Sequence, residues 1–423
     1  MRIMVVGGGG REHAIIKKLS ESDKVSEIFA LPGNGAIASL ATCVNIGAKD
    51  IDGIVNFAKE QKIEFAVVAP DDPLVLGAVD ALHEAGIPCF GPESKAAIIE
   101  GSKIFSKNMM KEAGIPTAQY ETFDDMQKAL AYLDSCAIPV VIKADGLALG
   151  KGVVIAMTRD EAKQAVREMM EDKVFGDSGN NIVIEEFLTG PEVSVLSFTD
   201  GKVVVPMVSS MDHKRIGDGD TGLNTGGMGT VAPNPYYTAD IADRCMKEIF
   251  LPTMEAMNKL GRTFKGCLYF GLMITEQGPK VIEYNCRFGD PETQVVLPLL
   301  KTDLFEIMQA VEEGRLSEIS VEFKDESACC VVMASDGYPK KYATGFEITY
   351  DEDLTAEIYV AGAKLEGEKL LTAGGRVLGV VSTADTLSEA VSKSYAEVEK
   401  VHFENAYYRR DIGKKALAVL EEN

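Results

Sequence analysis

Short apolar runs alternate with amphipathic stretches over the first hundred residues. Residues 2–6 (RIMVV), 28–31, 65–69 and 88–90 are strand-like and nearly free of polar side chains. Between them, 11–20, 51–61 and 74–85 read as helical stretches. Strands alternating with helices predict a parallel sheet wound with helices. An open parallel α/β domain is expected over residues 1–102.

The texture changes after Gly101. "SKIFSKNMMKEAGIP" reads as a helix that stops at Gly114, with Pro116 beyond it. "IPVVIKAD" (138–145) is a strand, followed by "GLALGKG", a second strand "VVIAM", and an amphipathic helix over 160–172. "NIVIEEFL" and "EVSVLSF" flank a turn at Thr189–Pro191 and are expected to pair as a hairpin. Residues 211–237 are rich in Gly, Asp, Asn and Pro and have little periodicity. Long irregular segments inside domains are usually functional or disordered, and the strand signals beyond this one favour function. A helix over 238–260 follows, then strands over 267–275 and 280–286 and a helix over 303–313. A boundary is expected near 325. The tail alternates short strands and Gly turns around a helix at 386–400. The expected architecture is α/β and α+β multidomain: 1–102, then 103–325 with a smaller subdomain at 121–187, then a small α+β domain over 326–423.

Charge narrows the partners. With 43 Lys and Arg against 65 Asp and Glu, the net charge is −22, which disfavours a nucleic-acid backbone. The eight cysteines form no CxxC pair, which argues against a zinc site and for free thiols in a reducing compartment. The N-terminal apolar run is too short for a signal peptide, and none reaches the ~18 residues of a membrane span. A cytoplasmic protein with no membrane partner is expected, as a monomer or weak dimer.

Four motifs carry candidate chemistry. In "VVGGGGREHA" the glycines between strand and helix could meet an anion or simply turn the chain. A dinucleotide fingerprint fails in both frames, because its third glycine falls on Glu12 or His13. "VVIKADGLALGKGVVIA" is not a P-loop: three residues separate Gly146 from Gly150, and Gly152 follows Lys151. It reads instead as a hairpin tipped with Lys151 that can fold over a polyphosphate. Lys143 lies in its apolar first strand, where an unpaired ammonium is costly and a bound phosphate would offset the cost. "VIEEFLTGPEVSV" sets Glu185 and Glu186 at a strand end and Glu192 past a turn, a place from which a carboxylate can accept ribose hydroxyls. In "IEYNCRFGDPETQ", strand alternation sends Ile282, Tyr284 and Cys286 one way and Glu283, Asn285 and Arg287 the other. Glu283 and Asn285 are hard oxygen ligands that suit magnesium beside substrate phosphates. Arg287 can stabilise charge on a transferring phosphoryl group. The turn that follows leaves Asp290 to bind something polar.

"KADGLALGKGV", "GPEVS", "DHKRIGDGDTGLNTGGMG" and "EYNCRFGDPETQ" occur in that order, with "GGGGREHA" before them and "YYRRDIG" after. Together they closely resemble the phosphoribosylamine–glycine ligase family of the ATP-grasp superfamily, over nearly the whole chain. The resemblance implies an ATP-grasp fold of two subdomains over 103–325 that grips ATP. It implies activation of glycine as glycyl phosphate and capture by the amine of 5-phosphoribosylamine, in purine biosynthesis. Lys103, Lys143 and Lys151 would face the ATP phosphates, with Glu192 on the ribose. Glu185 would belong to the ATP site, and Glu186 and Phe187 would supply backbone contacts to the adenine. Glu283 and Asn285 would hold Mg2+ or Mn2+, and Arg287 would stabilise the acyl phosphate. Asp212, Lys214, Asn224, Thr225, Gly226, Gly227, Met228 and Asp290 would line the acceptor pocket. Gly9 and Gly10, with Arg409 or Arg410, would take the phosphoribosyl phosphate. The alternatives are another ATP-grasp carboxylate–amine ligase, a biotin-dependent carboxylase, for which no carrier-like segment is evident, and a non-catalytic nucleotide-binding protein, which has no use for a charged metal face.

Overall fold

Five parallel strands form the first sheet of the computed structural model, which describes residues 1–147 and 152–422. Their spatial order is Thr42–Cys43, Glu27–Pro32, Arg2–Gly7, Phe65–Val68, Cys89–Phe90. The four expected strands are present, and Thr42–Cys43 is an edge strand too short to leave a periodic signal. Met4 and Val6 enter one apolar core while Ile3 and Val5 enter another, so the sheet is covered on both faces. That is why its strands read as continuous apolar runs. The strand order reverses beside Arg2–Gly7, which places Gly7–Gly10 at the crevice where open α/β sheets bind ligands. The helix expected over 74–85 is two helices, Asp71–Val75 and Ala78–Glu84.

An antiparallel sheet follows, ordered Val204–Pro206, Glu192–Thr199, Gly266–Thr275, Gly278–Asn285. A smaller sheet orders Tyr120–Phe123, Ile182–Glu186, Val140–Ala144, Val153–Ala156. The expected hairpin between "NIVIEEFL" and "EVSVLSF" does not form: Ile182–Glu186 lies in the smaller sheet and Glu192–Thr199 in the larger. Both strands are buried along nearly their whole length. Each therefore needs partners on both edges, which a two-stranded hairpin cannot supply. The turn between them is a crossing from sheet to sheet. Gly190 takes φ 143° there, and a β-carbon on it would stand 2.1 Å from the Ile274 carbonyl oxygen, so only glycine fits. The helices Met126–Ser135 and Arg159–Met170 pack with the smaller sheet around Leu133, Ile142, Val166 and Ile182, an apolar cluster of their own. The N-terminal sheet shares its cores with the larger sheet instead.

The helix expected over 238–260 holds, with a π-helical turn at Met246–Phe250 joining Ala239–Cys245 to Leu251–Lys259. Pro252 follows that turn; it has no N–H to donate, and its ring crowds the carbonyl four residues back, which a wider turn relieves. The irregular segment 211–237 is partly strand. Met211–Asp212 and Gly229–Ala232 open a sheet that continues through Ser327–Ser335, Arg376–Ala384 and Glu357–Val360. The C-terminal part of the chain thereby reaches the middle of the molecule. All eight cysteines are free thiols, six of them buried. No helix among the described residues is long and apolar enough to cross a membrane.

His83 clips the first sheet's outer helices to the rest. Its Nδ1 lies 3.3 Å from Glu93, itself paired with Lys95, and its Nε2 lies 3.1 Å from Glu312 at the end of helix Leu304–Glu313. Bonding to Glu312 raises the His83 pKa above its ordinary value, against the pull of burial, and Glu93 adds to it. A folded value above the unfolded one stabilises fully below about pH 6.5, and the contribution is lost as pH rises through the folded value. The gap in Tm between the natural chain and His83→Gln should therefore be widest near about pH 5.5 and close toward about pH 9. Thermal unfolding across that range checks it; a gap independent of pH contradicts it.

Candidate active site

The strand Gly278–Asn285 carries the polar face that the sequence predicts, with one irregularity. Gly271 pairs with Glu283 but Leu272 pairs with Val281, so Ile282 is an extra, bulged residue. Tyr284 and Cys286 are buried as expected, whereas Ile282 does not join them inside. Its carbonyl turns instead to accept a hydrogen bond from Lys143 Nζ at 2.9 Å. Glu283 is 38% exposed and stands 3.7 Å from Lys214. Burial pushes its carboxyl up, but Lys214, Lys143, Lys103 and Arg287 hold it below the ordinary range. Asn285 Oδ1 accepts from Arg287 at 3.2 Å; Arg287 also lies 3.2 Å from Glu100 and donates to the Phe288 carbonyl at 3.2 Å.

Glu283 and Asn285 thus offer two hard oxygens on one accessible face. Among the described residues no group of three or more His, Cys, Asp or Glu side chains converges as a metal cluster would. Two protein ligands fit an ion that completes its shell with substrate phosphates and water. The neighbouring strand Gly266–Thr275 contributes no acid.

On the nucleotide side, the structure corrects the reasoning about Lys143. Its ammonium is already paired: Glu185 Oε2 lies 3.1 Å away, and both side chains are buried. Lys103 donates to the Gly146 carbonyl at 2.8 Å, and burial lowers its pKa against the pull of Glu283. Lys151 lies outside the described residues. Glu186 accepts from the Gln119 N–H at 3.0 Å, and its own N–H donates to the Gln119 carbonyl. Phe187 follows, half-buried. Glu192 is 50% exposed and 2.9 Å from Lys214, which bridges it to Glu283. Burial works against the Lys214 charge, but Glu192 and Glu283 raise its pKa well above the usual value.

On the opposite side, Asp212 accepts from the His213 N–H at 2.7 Å. Burial and the nearby Glu292 raise its pKa well above the carboxylate range, despite Lys214 and Arg376. Thr225 bonds twice to the Lys214 carbonyl, at 2.7 and 2.9 Å, and folds the loop 224–228 over it. Asn224 pairs with Arg215 in a small ladder. Gly227 has φ 118°, and a β-carbon there would strike Pro291 at 2.5 Å and Asp212 at 2.6 Å, so the loop can lie flat only as glycine. Met228 is a correction. It is fully buried, its N–H and carbonyl bond to His213 and Val332, and it offers a ligand nothing. Asp290 lies 3.4 Å from Arg376 and accepts from Gln294 at 2.8 Å. Burial raises its carboxyl, but Arg376 and Arg11 hold it below the usual range. Gly9 and Gly10 pack against the same carboxylate: β-carbons built on them would fall 3.5 and 3.7 Å from its oxygens. The Gly9 N–H is taken by Glu12 at 2.6 Å.

Arg409 is the second correction. It is 1% exposed, donates twice to Asp411 at 2.8 Å, and donates to Asp220 at 2.9 Å and the Arg215 carbonyl at 3.0 Å. It clamps the 215–220 turn and has almost no donor left for a phosphate. Arg410 spreads over the Tyr408 ring at 5.6 Å. The arginines that do reach Asp290 and the glycine loops were not singled out from the sequence. Arg376 donates to the carbonyls of Gly226 and Asp290, each at 2.8 Å, and Arg11 donates to Phe288 at 3.2 Å. Arg11 directly follows the glycine run and could have been found. Arg376 comes from the distant strand Arg376–Ala384, and no local signal marks it. Glu100, tied to Arg287 and to the Cys286 N–H at 2.7 Å, was missed for the same reason.

Three family descriptions match, as the N, ATP-grasp (A) and C domains of phosphoribosylglycinamide synthetase, over residues 1–100, 101–293 and 328–415. The phosphoribosylamine–glycine ligase of Caldanaerobacter subterraneus subsp. tengcongensis is 48% identical over 97% of this chain and 99% of its own. The crystal structure of the same enzyme from Thermotoga maritima superposes with a TM-score of 0.86 at 33% identity, over 97% of this chain and 100% of that one. The biotin carboxylase domain of the Hydrogenobacter thermophilus 2-oxoglutarate carboxylase shares the fold alone: TM-score 0.75 at 16% identity, over 96% and 91% of the two chains.

Proposed function

The chain belongs to the phosphoribosylglycinamide synthetase family of ATP-dependent ligases, and from that premise we propose how its residues join glycine to 5-phosphoribosylamine. The observation that carries the proposal is the single strand face of Glu283, Asn285 and Arg287, with Lys214 3.7 Å from Glu283 and Lys143 bonded to the carbonyl just before it. A carboxylate is a poor acyl donor, because its leaving group would be oxide. An oxygen of the glycine carboxylate therefore attacks the terminal phosphorus of ATP. The bond to ADP breaks, and the mixed anhydride glycyl phosphate forms. The amine of phosphoribosylamine then attacks the glycyl carbonyl, inorganic phosphate departs with the bonding pair, and the amine loses a proton.

Each step has a candidate group. Lys103 and Lys143 face the phosphates, and Glu192 takes the ribose; Lys151, outside the described residues, is assigned to the phosphates by the sequence and the family resemblance alone. Glu283 and Asn285 would hold Mg2+ or Mn2+, which would neutralise phosphate charge. Arg287 lies one step further along the same face and stabilises charge on the acyl phosphate. Asp212 stands beside Lys214 on the acceptor side, and its carboxylate accepts the proton of the attacking amine. Asn224, Thr225, Gly226 and Gly227 line the acceptor side with Asp290. The phosphoribosyl phosphate lies by Gly9 and Gly10, with Arg11 and Arg376 as its cations in place of Arg409. The division into 1–102, 103–325 with a lid over 121–187, and 326–423, and a cytoplasmic setting, complete the reading. ADP release assayed with glycine and phosphoribosylamine generated in situ tests it. Release should require both acceptors; release with glycine alone at the full rate would overturn the proposed acceptor.

A further inference from the structure

Lys107 has no part in the scheme above, yet it is among the most buried charges in the molecule, 2% exposed. It lies one helical turn beyond Lys103, on the same face of helix Lys103–Ala113. Its ammonium is 3.2 Å from Glu185 Oε2, the same oxygen that Lys143 approaches at 3.1 Å. It donates to Thr117 Oγ1 at 2.8 Å and the Ala118 carbonyl at 3.5 Å, and lies over the Tyr120 ring. Thr117 in turn donates to the Val281 carbonyl at 2.7 Å. Two cations from different elements therefore share one carboxylate oxygen; Lys143 bonds the Ile282 carbonyl directly, and Lys107 is tied to the Val281 carbonyl only through Thr117, two successive carbonyls that run into Glu283. Glu185 Oε1 is buried and has no donor among the described residues.

One lysine would suffice to pair Glu185. Two leave a spare, and only Lys143 sits on the strand that leads into the glycine hairpin. For Lys143 to turn to a phosphate, it must let go of Glu185. A buried carboxylate stranded without a cation is costly, so that move is open only if another cation stays. We propose that Lys107 is a positioning residue that keeps Glu185 paired, so that Lys143 can leave it for the nucleotide's phosphates. The inference rests on the nucleotide reading of this cleft. Lys107 itself stays put, because its remaining donors are fixed to Thr117 and Ala118. Burial lowers its pKa to about 8, with Glu185 opposing that shift and Lys143 adding to it, as expected of a cation packed beside a second one.

Calorimetric titration of the full chain with a non-hydrolysable ATP analogue, ADP and adenosine tests this without the ligation reaction. Lys107→Met should weaken the ATP analogue and ADP by about tenfold or more, the scale of a charge-assisted hydrogen bond, and leave adenosine, which has no phosphate, within about twofold. A general loosening of the pocket would weaken all three alike, and that result overturns the proposal. In a Glu185→Gln background, where Lys143 has no carboxylate to leave, adding Lys107→Met should change ATP-analogue affinity by less than about twofold. A full tenfold loss there overturns it. Should Lys107→Met fail to fold, Thr117→Val, which cuts the tie to Val281, should show the same phosphate-dependent pattern at smaller size, and a uniform loss would again refute it. If the natural chain binds neither the ATP analogue nor ADP, the nucleotide reading fails and takes the inference with it; normal binding with unchanged variants refutes the role of Lys107 alone.

Discussion

Glu283→Ala is expected to abolish measurable turnover at saturating ATP, a loss well beyond the 10–100-fold that removing an outer partner of a metal ligand causes. The argument turns on charge. Glu283 faces the cations Lys214, Lys143, Lys103 and Arg287, three of which already have another carboxylate as partner: Glu192, Glu185 and Glu100. Those cations suit the triphosphate, while the carboxylate by itself repels it. Its presence makes sense only with an ion between it and the phosphates. The variant should therefore separate two quantities that a simple packing defect would move together. Without divalent metal, nucleotide affinity should hold or tighten, because a repulsive charge has gone. With metal, the usual gain in affinity should vanish and turnover with it. Calorimetry of ADP with and without Mg2+, beside an ADP-release assay, reads both. Near-normal activity with Mg2+ would contradict the assignment, and so would a metal-dependent gain in affinity that survives the substitution.

What the sequence reveals of this site depends on how local each feature is. The face of Glu283, Asn285 and Arg287 was legible because strand alternation acts between neighbours. The parallel sheet was legible because strands covered on both faces read as apolar runs. The bulge at Ile282 was not, since it reflects the register against Gly271 and Leu272 and has no signature in its own strand. The crossing at Gly190 was read as a hairpin because turn residues show where a chain bends and say nothing of which strand waits beyond. The resemblance put Arg409 or Arg410 on the phosphoribosyl phosphate; Asp411 and Asp220 absorb the charge of Arg409, and only the fold brings Asp220 to it. Glu100 and Arg376 are the converse case. Neither belongs to a motif, and both reach the site by tertiary contact, Arg376 from 86 residues beyond Asp290.

Arg287 shows how such contacts shape a test. Arg287→Met should cost activity about 10²–10³-fold in kcat, the range for removing one donor that stabilises developing charge. By itself that loss is ambiguous, because the guanidinium also pairs with Glu100 and supports Asn285 Oδ1. Glu100 is 8% exposed, and burial raises its carboxyl above the ordinary value against the pull of Arg287. Removing the arginine strands that carboxylate, and stability should fall by about 3 kcal/mol, near the low end for breaking a buried pair. The double variant Arg287→Met with Glu100→Gln resolves the two roles. Glutamine still accepts the Cys286 N–H through its amide oxygen and carries no charge, so most of the lost stability should return. The lost turnover should not, because the chemistry needs the cation and the fold does not. Denaturant unfolding and single-turnover ADP formation on the natural chain and the two variants measure both quantities. Recovery of turnover along with stability would reduce Arg287 to a structural partner of Glu100 and remove it from the reaction.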